Sequence, residues 1–263
     1  MSARPLRLGR VAYINTFPIE WALGEHLDPA LAVEVTGVPT RLNALLRAGE
    51  IDVANVSSIE YAYAPESYVL LPSLCVGSEG AVDSVNLVGE LPPERVRTIA
   101  GNPESATSIA LARVLCPAAE IVTEDAPADA RLLIGDRALR SGLEDPTPHT
   151  DLGALWRERT GLPMVFAVWA ARVDADPDAL DRIDAALTRS LASARADRRR
   201  VAQDAAVRHG FPPGFLARYF ERLRYDFGER EREGLRRFYE LAAAAGAIEG
   251  APDLRFLPAR ALR

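Results

Sequence analysis

The run IDVANVSSIEYAYA, residues 51–64, decides how the chain is read. Its apolar first half, IDVANV, reads as a β-strand, and SSIEYAYA reads as the helix that follows directly. Two adjacent hydroxyls stand at the junction. Ser57 with Glu60 three residues on fits the capping box S-x-x-E, in which each side chain satisfies a free backbone donor of the first turn. That reading leaves Ser58 unexplained, and a hydroxyl beside free N–H groups at the positive end of a helix also suits a carboxylate ligand. Both readings of the pair, capping and ligand contact, stand open.

Working outward, RLGRVAY (7–13) reads as a strand and FPIEWALGE (17–25) as a short helix. LAVEVTGV (31–38) is the next strand, followed by the helix PTRLNALLRAG (39–49), which Pro39 opens and Gly49 closes. Strand and helix alternate through residue 64, the pattern of a parallel sheet covered by helices. Two further apolar runs, YVLLPSLCVG (68–77) and DSVNLVGE (83–90), flank a glycine turn, and the proline-bearing LPPERV (91–96) reads as a crossing between lobes. The alternation then restarts: TIAG, the helix SATSIALARVLC, the strands AEIVTED and RLLIGD, and the helices RALRSG and DLGALWRERTG. LPMVFAVWAAR (162–172) reads as the strand returning to the first lobe, and everything after residue 174 as helix. In the last helix Leu235, Phe238, Leu241 and Ala242 form one apolar stripe directed at the core.

The expected fold class is therefore α/β, with residues 1–90 and 164–263 forming one lobe and residues 91–163 the other. This layout resembles the periplasmic-binding-protein-like folds of the second type, here with added C-terminal helices. Such folds hold their ligand between the lobes, at the carboxyl ends of parallel strands.

Composition narrows the chemistry. Lysine is absent from all 263 residues, so neither a lysine Schiff base nor a P-loop is available. A formal net charge of −6 supplies no positive field for nucleic acid or an anionic membrane, and RADRRR (195–200) reads as one solvated helix face. Cys75 and Cys116 lie far apart, as do His26, His149 and His209, so no zinc spacing exists and a reducing compartment is expected. No window reaches the roughly 20 apolar residues of a membrane span, the N-terminal stretch lacks the apolar core of a signal peptide, and the expected location is the cytoplasm.

Candidate ligand groups sit where elements meet. Ser105, Ala106 and Thr107, with Ser108, begin a helix in the second lobe as Ser57 and Ser58 do in the first, so a closed cleft could hold two carboxylates between helix starts. Gly80 and Ser84 lie at the turn and hinge, where the glycine supplies a positive φ or the pair meets the ligand. Asn15, after the first strand, either caps the next helix or both donates to and accepts from a ligand. Asp136 is a helix cap or a ligand contact on the same grounds. Arg41, near the first cleft edge, is either a surface residue or a cation that grips a carboxylate, and the sequence leaves the two open.

Taken in order, YINTFP (13–18), LNALLRAGEIDVANVSSIEYA (42–62), GAVDSVNL (80–87), SATS (105–108), LLIGDRAL (132–139) and DLGALWRERTGLPMVFAVW (151–169) resemble the chorismate dehydratases of the futalosine-dependent menaquinone pathway. Met164 and the pair His149-Thr150 stand where that pattern has aromatic residues, which bears on pocket shape. The resemblance implies an enzyme without metal or cofactor that eliminates water from chorismate, a small dicarboxylate, to give 3-[(1-carboxyvinyl)oxy]benzoate. It implies Asn15 and Ser84 as the catalytic pair, with Ser57, Ser58, Gly80, Ser105, Ala106, Thr107 and Asp136 around the substrate. The motif segments hold no histidine beside a carboxylate to act as general base; the identity of the base stays open at this point, the substrate's own enolpyruvyl carboxylate being one candidate to take the C3 proton. Two competing readings share the fold: the 1,4-dihydroxy-6-naphthoate synthase of the same pathway, and a solute-binding protein without catalysis.

Overall fold

In a computed structural model describing residues 4–101 and 106–258, the first lobe grows from strand β1 (Leu6–Val11), the one-turn helices α1 (Phe17–Glu20) and α2 (Leu23–His26), strand β2 (Ala32–Gly37), helix α3 (Pro39–Arg47), strand β3 (Val53–Ser57) and helix α4 (Ser58–Tyr63). The helical crossovers make β1 parallel to both β2 and β3. Every residue of β3 is buried, as suits a strand with neighbours on both sides and helices on its faces. Gly9 lets β1 lie close: a Cβ there would stand 2.7 Å from the Ala54 side chain.

Strand β4 (Tyr68–Ser78) extends this sheet, and the chain then changes lobes. The second sheet is built from β5 (Val85–Val88), β6 (Thr98–Ala100), helix α5 (Ala106–Leu115), β7 (Glu120–Val122), β8 (Ala130–Ile134), helix α6 (Gly135–Glu144), β9 (His149–Asp151) and helix α7 (Leu152–Thr160), in the strand order β7-β6-β8-β5-β9. Its β6, β7 and β8 are parallel, while β5 is antiparallel to β8 and β9. The crossing therefore lies between Ser78 and Val85, ahead of the expected one at residues 91–96. The cause is pairing: VNLV finds backbone partners in β8 on one side and β9 on the other. The expected boundary at residue 90 is corrected to the turn at residues 79–84.

Strand β10 (Met164–Arg172) returns to the first sheet between β3 and β4, antiparallel to both. Then come helices α8 (Pro177–Ala196), α9 (Arg198–His209) and α10 (Pro213–Arg222), strand β11 (Leu223–Asp226) and helix α11 (Glu229–Ala244), completing the first sheet as β11-β4-β10-β3-β1-β2. The purely helical expectation after residue 174 fails at β11. Its residues alternate buried and exposed, and the open edge of β4 supplies hydrogen bonds that a longer helix would forgo. The first long helical stretch after residue 174 also breaks, at Asp197, whose carboxylate accepts the Arg200 N–H at 3.2 Å and caps α9. Leu235, Phe238 and Ala242 are fully buried, with Leu241 packed at the margin. Helix α11 rests on β10 and α4 of one lobe and on α5 of the other. Among the described residues no helix is long and apolar enough to cross a membrane.

Candidate active site

Where the carboxyl ends of β1, β3 and β8 face one another, a cavity of about 50 Å³ lies between the sheets. The first lobe contributes Tyr13, Asn15, Pro39, Asn55 and Ser57, and the second contributes Ser84, Ser108 and Gly135. Helix α3 begins at Pro39, α6 begins at Gly135, and Ser108 lies in the first turn of α5. Three helix N-termini thus open on the cavity, each carrying partial positive charge. Among the described residues lining it there is no arginine, aspartate, glutamate or histidine. A bound anion must be held by dipoles and neutral donors.

Ser84 occupies a built corner. Asp83 before it has φ of 59°, a left-handed conformation that costs free energy for a residue with a side chain and persists only where its surroundings enforce it. Here they do. Asp151 Oδ2 accepts the N–H groups of Val82 at 2.9 Å and Asp83 at 2.6 Å, while its Oδ1 accepts that of Ala154 at 2.9 Å and caps α7. Burial pushes the Asp151 carboxyl above its ordinary range, and these backbone donors oppose the shift. Arg222 at the end of α10 donates to Asp83 Oδ1 at 2.9 Å. The Ser84 hydroxyl, nearly inaccessible to solvent, accepts a bond of 3.0 Å from Tyr219 Oη.

Asn15 sits in a turn held from several sides. Tyr225 Oη donates to its carbonyl at 2.9 Å, Asp136 Oδ1 accepts the Ile14 N–H at 3.2 Å, and Thr16 Oγ1 donates to the Tyr13 carbonyl at 3.0 Å. Its own side-chain oxygen is buried with no hydrogen-bond partner, as is the side-chain nitrogen of Asn55. An unmatched buried acceptor and an unmatched buried donor lining one cavity are costly unless a ligand completes them.

The sequence-predicted residues divide sharply. Asn15, Ser57 and Ser84 line the cavity. Ser58 and Thr107 do not: Ser58 Oγ donates to the Val165 carbonyl at 2.8 Å, and Thr107 Oγ1 accepts the Ile59 N–H at 3.1 Å while lying 3.2 Å from Ser58 Oγ. The two hydroxyls latch the lobes together instead of facing a ligand. The capping box is also absent. Ser57 makes no side-chain cap bond, and Glu60, buried in α4, takes a two-pronged bond from Arg47 at 3.0 and 2.6 Å. A buried carboxylate gains more from a guanidinium than from one backbone N–H. Gly80 is not at positive φ and has open space where a Cβ would lie. Its carbonyl accepts Ser78 Oγ at 2.7 Å, and it is Gly153 that the corner requires, since a Cβ there would strike that carbonyl.

Asp136 engages the protein with both oxygens, Oδ1 on Ile14 and Oδ2 on His209 Nδ1 at 3.0 Å. Ala106 opens α5 beside the latch, Ser105 lies outside the described residues, and Arg41 is exposed away from the lining. Met164 is buried in β10 opposite Ser78, and His149 Nε2 bonds to Ser141 Oγ at 2.9 Å. Ser108, from the hydroxyl cluster that begins α5, does line the cavity, whereas sequence reasoning missed Asn55, Tyr13, Phe166 and Gly135. Asn55 had a signal: an amide in the middle of an otherwise apolar run, VANV, must have a reason to be there. A larger cavity, of about 600 Å³, lies among the C-terminal helices beside Arg195, Arg198, Arg199 and Arg224. It holds none of the predicted residues and no unmatched buried amide, so the interlobe cleft is the candidate site.

The family model described as menaquinone biosynthesis matches residues 6–244. This chain belongs to the menaquinone biosynthesis family. Within it, a chorismate dehydratase of Thermus thermophilus is 37% identical over 90% of this chain and 95% of its own length. A chorismate dehydratase of Campylobacter jejuni is 37% identical over 60% of this chain and 64% of its own length. Among solved structures, an Archaeoglobus fulgidus protein superposes with a TM-score of 0.79 at 20% identity, covering 94% of this chain and 100% of that one. The alkanesulfonate-binding protein of Xanthomonas axonopodis pv. citri, bound to MOPS, superposes with a TM-score of 0.68 at 13% identity, covering 97% of each chain. This member of the menaquinone biosynthesis family therefore has the two-lobed periplasmic-binding-protein-like fold, as its ordered motifs led us to expect.

Proposed function

We propose that this protein is a chorismate dehydratase, a hydro-lyase that converts chorismate to 3-[(1-carboxyvinyl)oxy]benzoate and water on the way to menaquinone. The observation that carries this reading is the near full-length relationship, at 37% identity, to the Thermus thermophilus enzyme of that name. The cleft supplies a mechanism. Chorismate carries two carboxylates and a ring hydroxyl. Elimination takes the proton from C3 and the hydroxyl from C4, and the C3–H electron pair completes the aromatic ring.

The C3 proton is acidified through the ring diene and its conjugated carboxylate, so stabilising charge on that carboxylate lowers the barrier. The helix N-termini and the unmatched Asn55 amide N–H face the cavity to do so. The described lining residues include no aspartate, glutamate or histidine, and the enolpyruvyl carboxylate of the substrate serves as the base. That carboxylate passes the proton to the departing hydroxyl, which leaves as water. Asn15, through its unmatched Oδ1, and Ser84, through its hydroxyl, orient the reacting groups and assist departure.

A cavity of about 50 Å³ lies far below the roughly 300 Å³ at the lower end of ligand pockets. The lobes part for substrate entry about the two connections that join the sheets, residues 79–84 and 161–163. We place the reaction in the cytoplasm, where the two free buried cysteines stay reduced.

The test is to incubate the purified protein with chorismate and follow substrate loss and product formation by chromatography with mass detection. Catalytic turnover is expected. Saturable binding without turnover would instead indicate a binding protein, and neither binding nor turnover would overturn the assignment of chorismate as ligand.

A further inference from the structure

Both residues to which the proposed mechanism gives a reacting role are held by phenols from one short C-terminal segment. Tyr219 lies in α10 and Tyr225 in β11, both almost completely buried. Tyr219 Oη donates to the Ser84 side-chain oxygen at 3.0 Å, and Tyr225 Oη donates to the Asn15 carbonyl at 2.9 Å. Arg222, between them, holds the Asp83 carboxylate next to Ser84 at 2.9 Å.

The direction of the first bond matters. A serine hydroxyl has one proton and two lone pairs. With one lone pair occupied by the tyrosine, the hydroxyl can turn its proton toward the cavity. A phenol keeps this donor role only while it stays protonated. Burial raises Tyr219 well above the usual phenol range, and the carboxylates of Asp136, Asp83 and Asp151 reinforce that shift.

We infer that Tyr219 is a positioning residue that makes Ser84 a fixed hydrogen-bond donor to the substrate, and that Tyr225 holds the Asn15 turn in matching register. The inference rests on the reading of Ser84 and Asn15 as substrate contacts. It assigns the C-terminal segment, which shares no motif with the cleft, a part in turnover. Tyr219 reaches the reaction only through Ser84, so its effect must vanish when Ser84 does.

The experiment is a double-mutant cycle on the full chain with chorismate as substrate, using Tyr219→Phe, Ser84→Ala and the pair, with Tyr225→Phe alongside. Phenylalanine keeps the ring packing and removes only the hydroxyl. Tyr219→Phe is expected to lower kcat about 10-fold with KM within about 2-fold of the parent, and to cause no further loss in the Ser84→Ala background. Tyr225→Phe is expected to lower kcat several-fold.

Two outcomes overturn the inference while sparing the reading beneath it. In one, Ser84→Ala costs about 100-fold but Tyr219→Phe leaves kcat within about 2-fold. In the other, the Tyr219→Phe loss persists in full in the Ser84→Ala background, as a merely structural role requires. If Ser84→Ala itself retains near-normal kcat, both the inference and the catalytic assignment of Ser84 fall.

Discussion

Two clusters of small hydroxyls look alike in the sequence and behave oppositely in the structure. Ser58 and Thr107 meet across the lobes at 3.2 Å and bond to the Val165 carbonyl and the Ile59 N–H. Ser84 stands on a strained corner at the cavity, its oxygen held by Tyr219. Buried polar groups tend to find partners within the protein. A hydroxyl whose proton and lone pairs both find protein partners is committed to the fold, whereas one that only accepts within the protein keeps its proton for a ligand. The unmatched Asn15 oxygen and Asn55 nitrogen belong with Ser84 on this criterion, though neither is a hydroxyl.

The contrast breaks most directly at Ser84. Removing a donor aimed at developing charge costs about 100-fold in kcat or more, and we expect that loss for Ser84→Ala, which also strands the buried Tyr219 hydroxyl and so lowers stability by about 1–3 kcal/mol. Asn15→Ala removes an orienting acceptor and is expected to cost up to about 100-fold in kcat with thermal unfolding little changed. Near-normal turnover in both variants would place the reacting groups elsewhere.

Thr107→Val probes the other cluster. It keeps the shape of the side chain and strands the buried Ile59 N–H, so stability should fall by about 2 kcal/mol in denaturant titration while kcat stays within about 2-fold. A collapse of kcat without loss of stability would move the latch into the site.

Asp151→Asn sharpens the comparison at the corner itself. With one carboxylate oxygen replaced by an amide, the N–H groups of Val82, Asp83 and Ala154 cannot all be accepted as before, and kcat should fall about 10-fold. The parent protein should show a related pH effect. Because burial raises the Asp151 pKa in the folded state, the carboxyl protonates as pH falls while still above the ordinary aspartate range. The corner then loosens and kcat drops on the acid side. The sign for stability is opposite: the folded state binds this proton more readily than the unfolded one, so the contribution is full below the unfolded pKa and is lost as pH rises through the folded value. A kcat profile without that acid limb would leave Asp151 a structural support with no part in turnover.

The smallest effect is expected at Ser57→Ala. A true N-cap serine is worth about 1 kcal/mol, but Ser57 makes no cap bond. Unfolding should therefore shift by less than about 0.5 kcal/mol, with the change appearing in the KM for chorismate.

Much of this molecule is legible from local pattern. The alternation of strand and helix through residue 64, the apolar run of β3, the return strand β10 and the stripe on α11 all follow from periodicity, because burial of one face imposes it. Absence of lysine excludes lysine chemistry without any coordinates. The ordered motifs contain Asn15 and Ser84, and both line the cavity between the lobes.

Other features depended on partners distant in sequence, and only tertiary structure decided them. Glu60 is three residues from Ser57 in a form that spells a cap, yet Arg47 of another helix draws it away. VNLV changed lobes because β8 and β9 offered it backbone partners on both sides. The segment around residues 219–225 carries no motif, and its two phenols reach Ser84 and Asn15 across 135 and 210 residues of chain. Sequence determines which groups a chain owns and which local shapes they favour. Which groups remain unmatched, and so are free to meet a substrate, is settled only when every other buried donor and acceptor has found its partner.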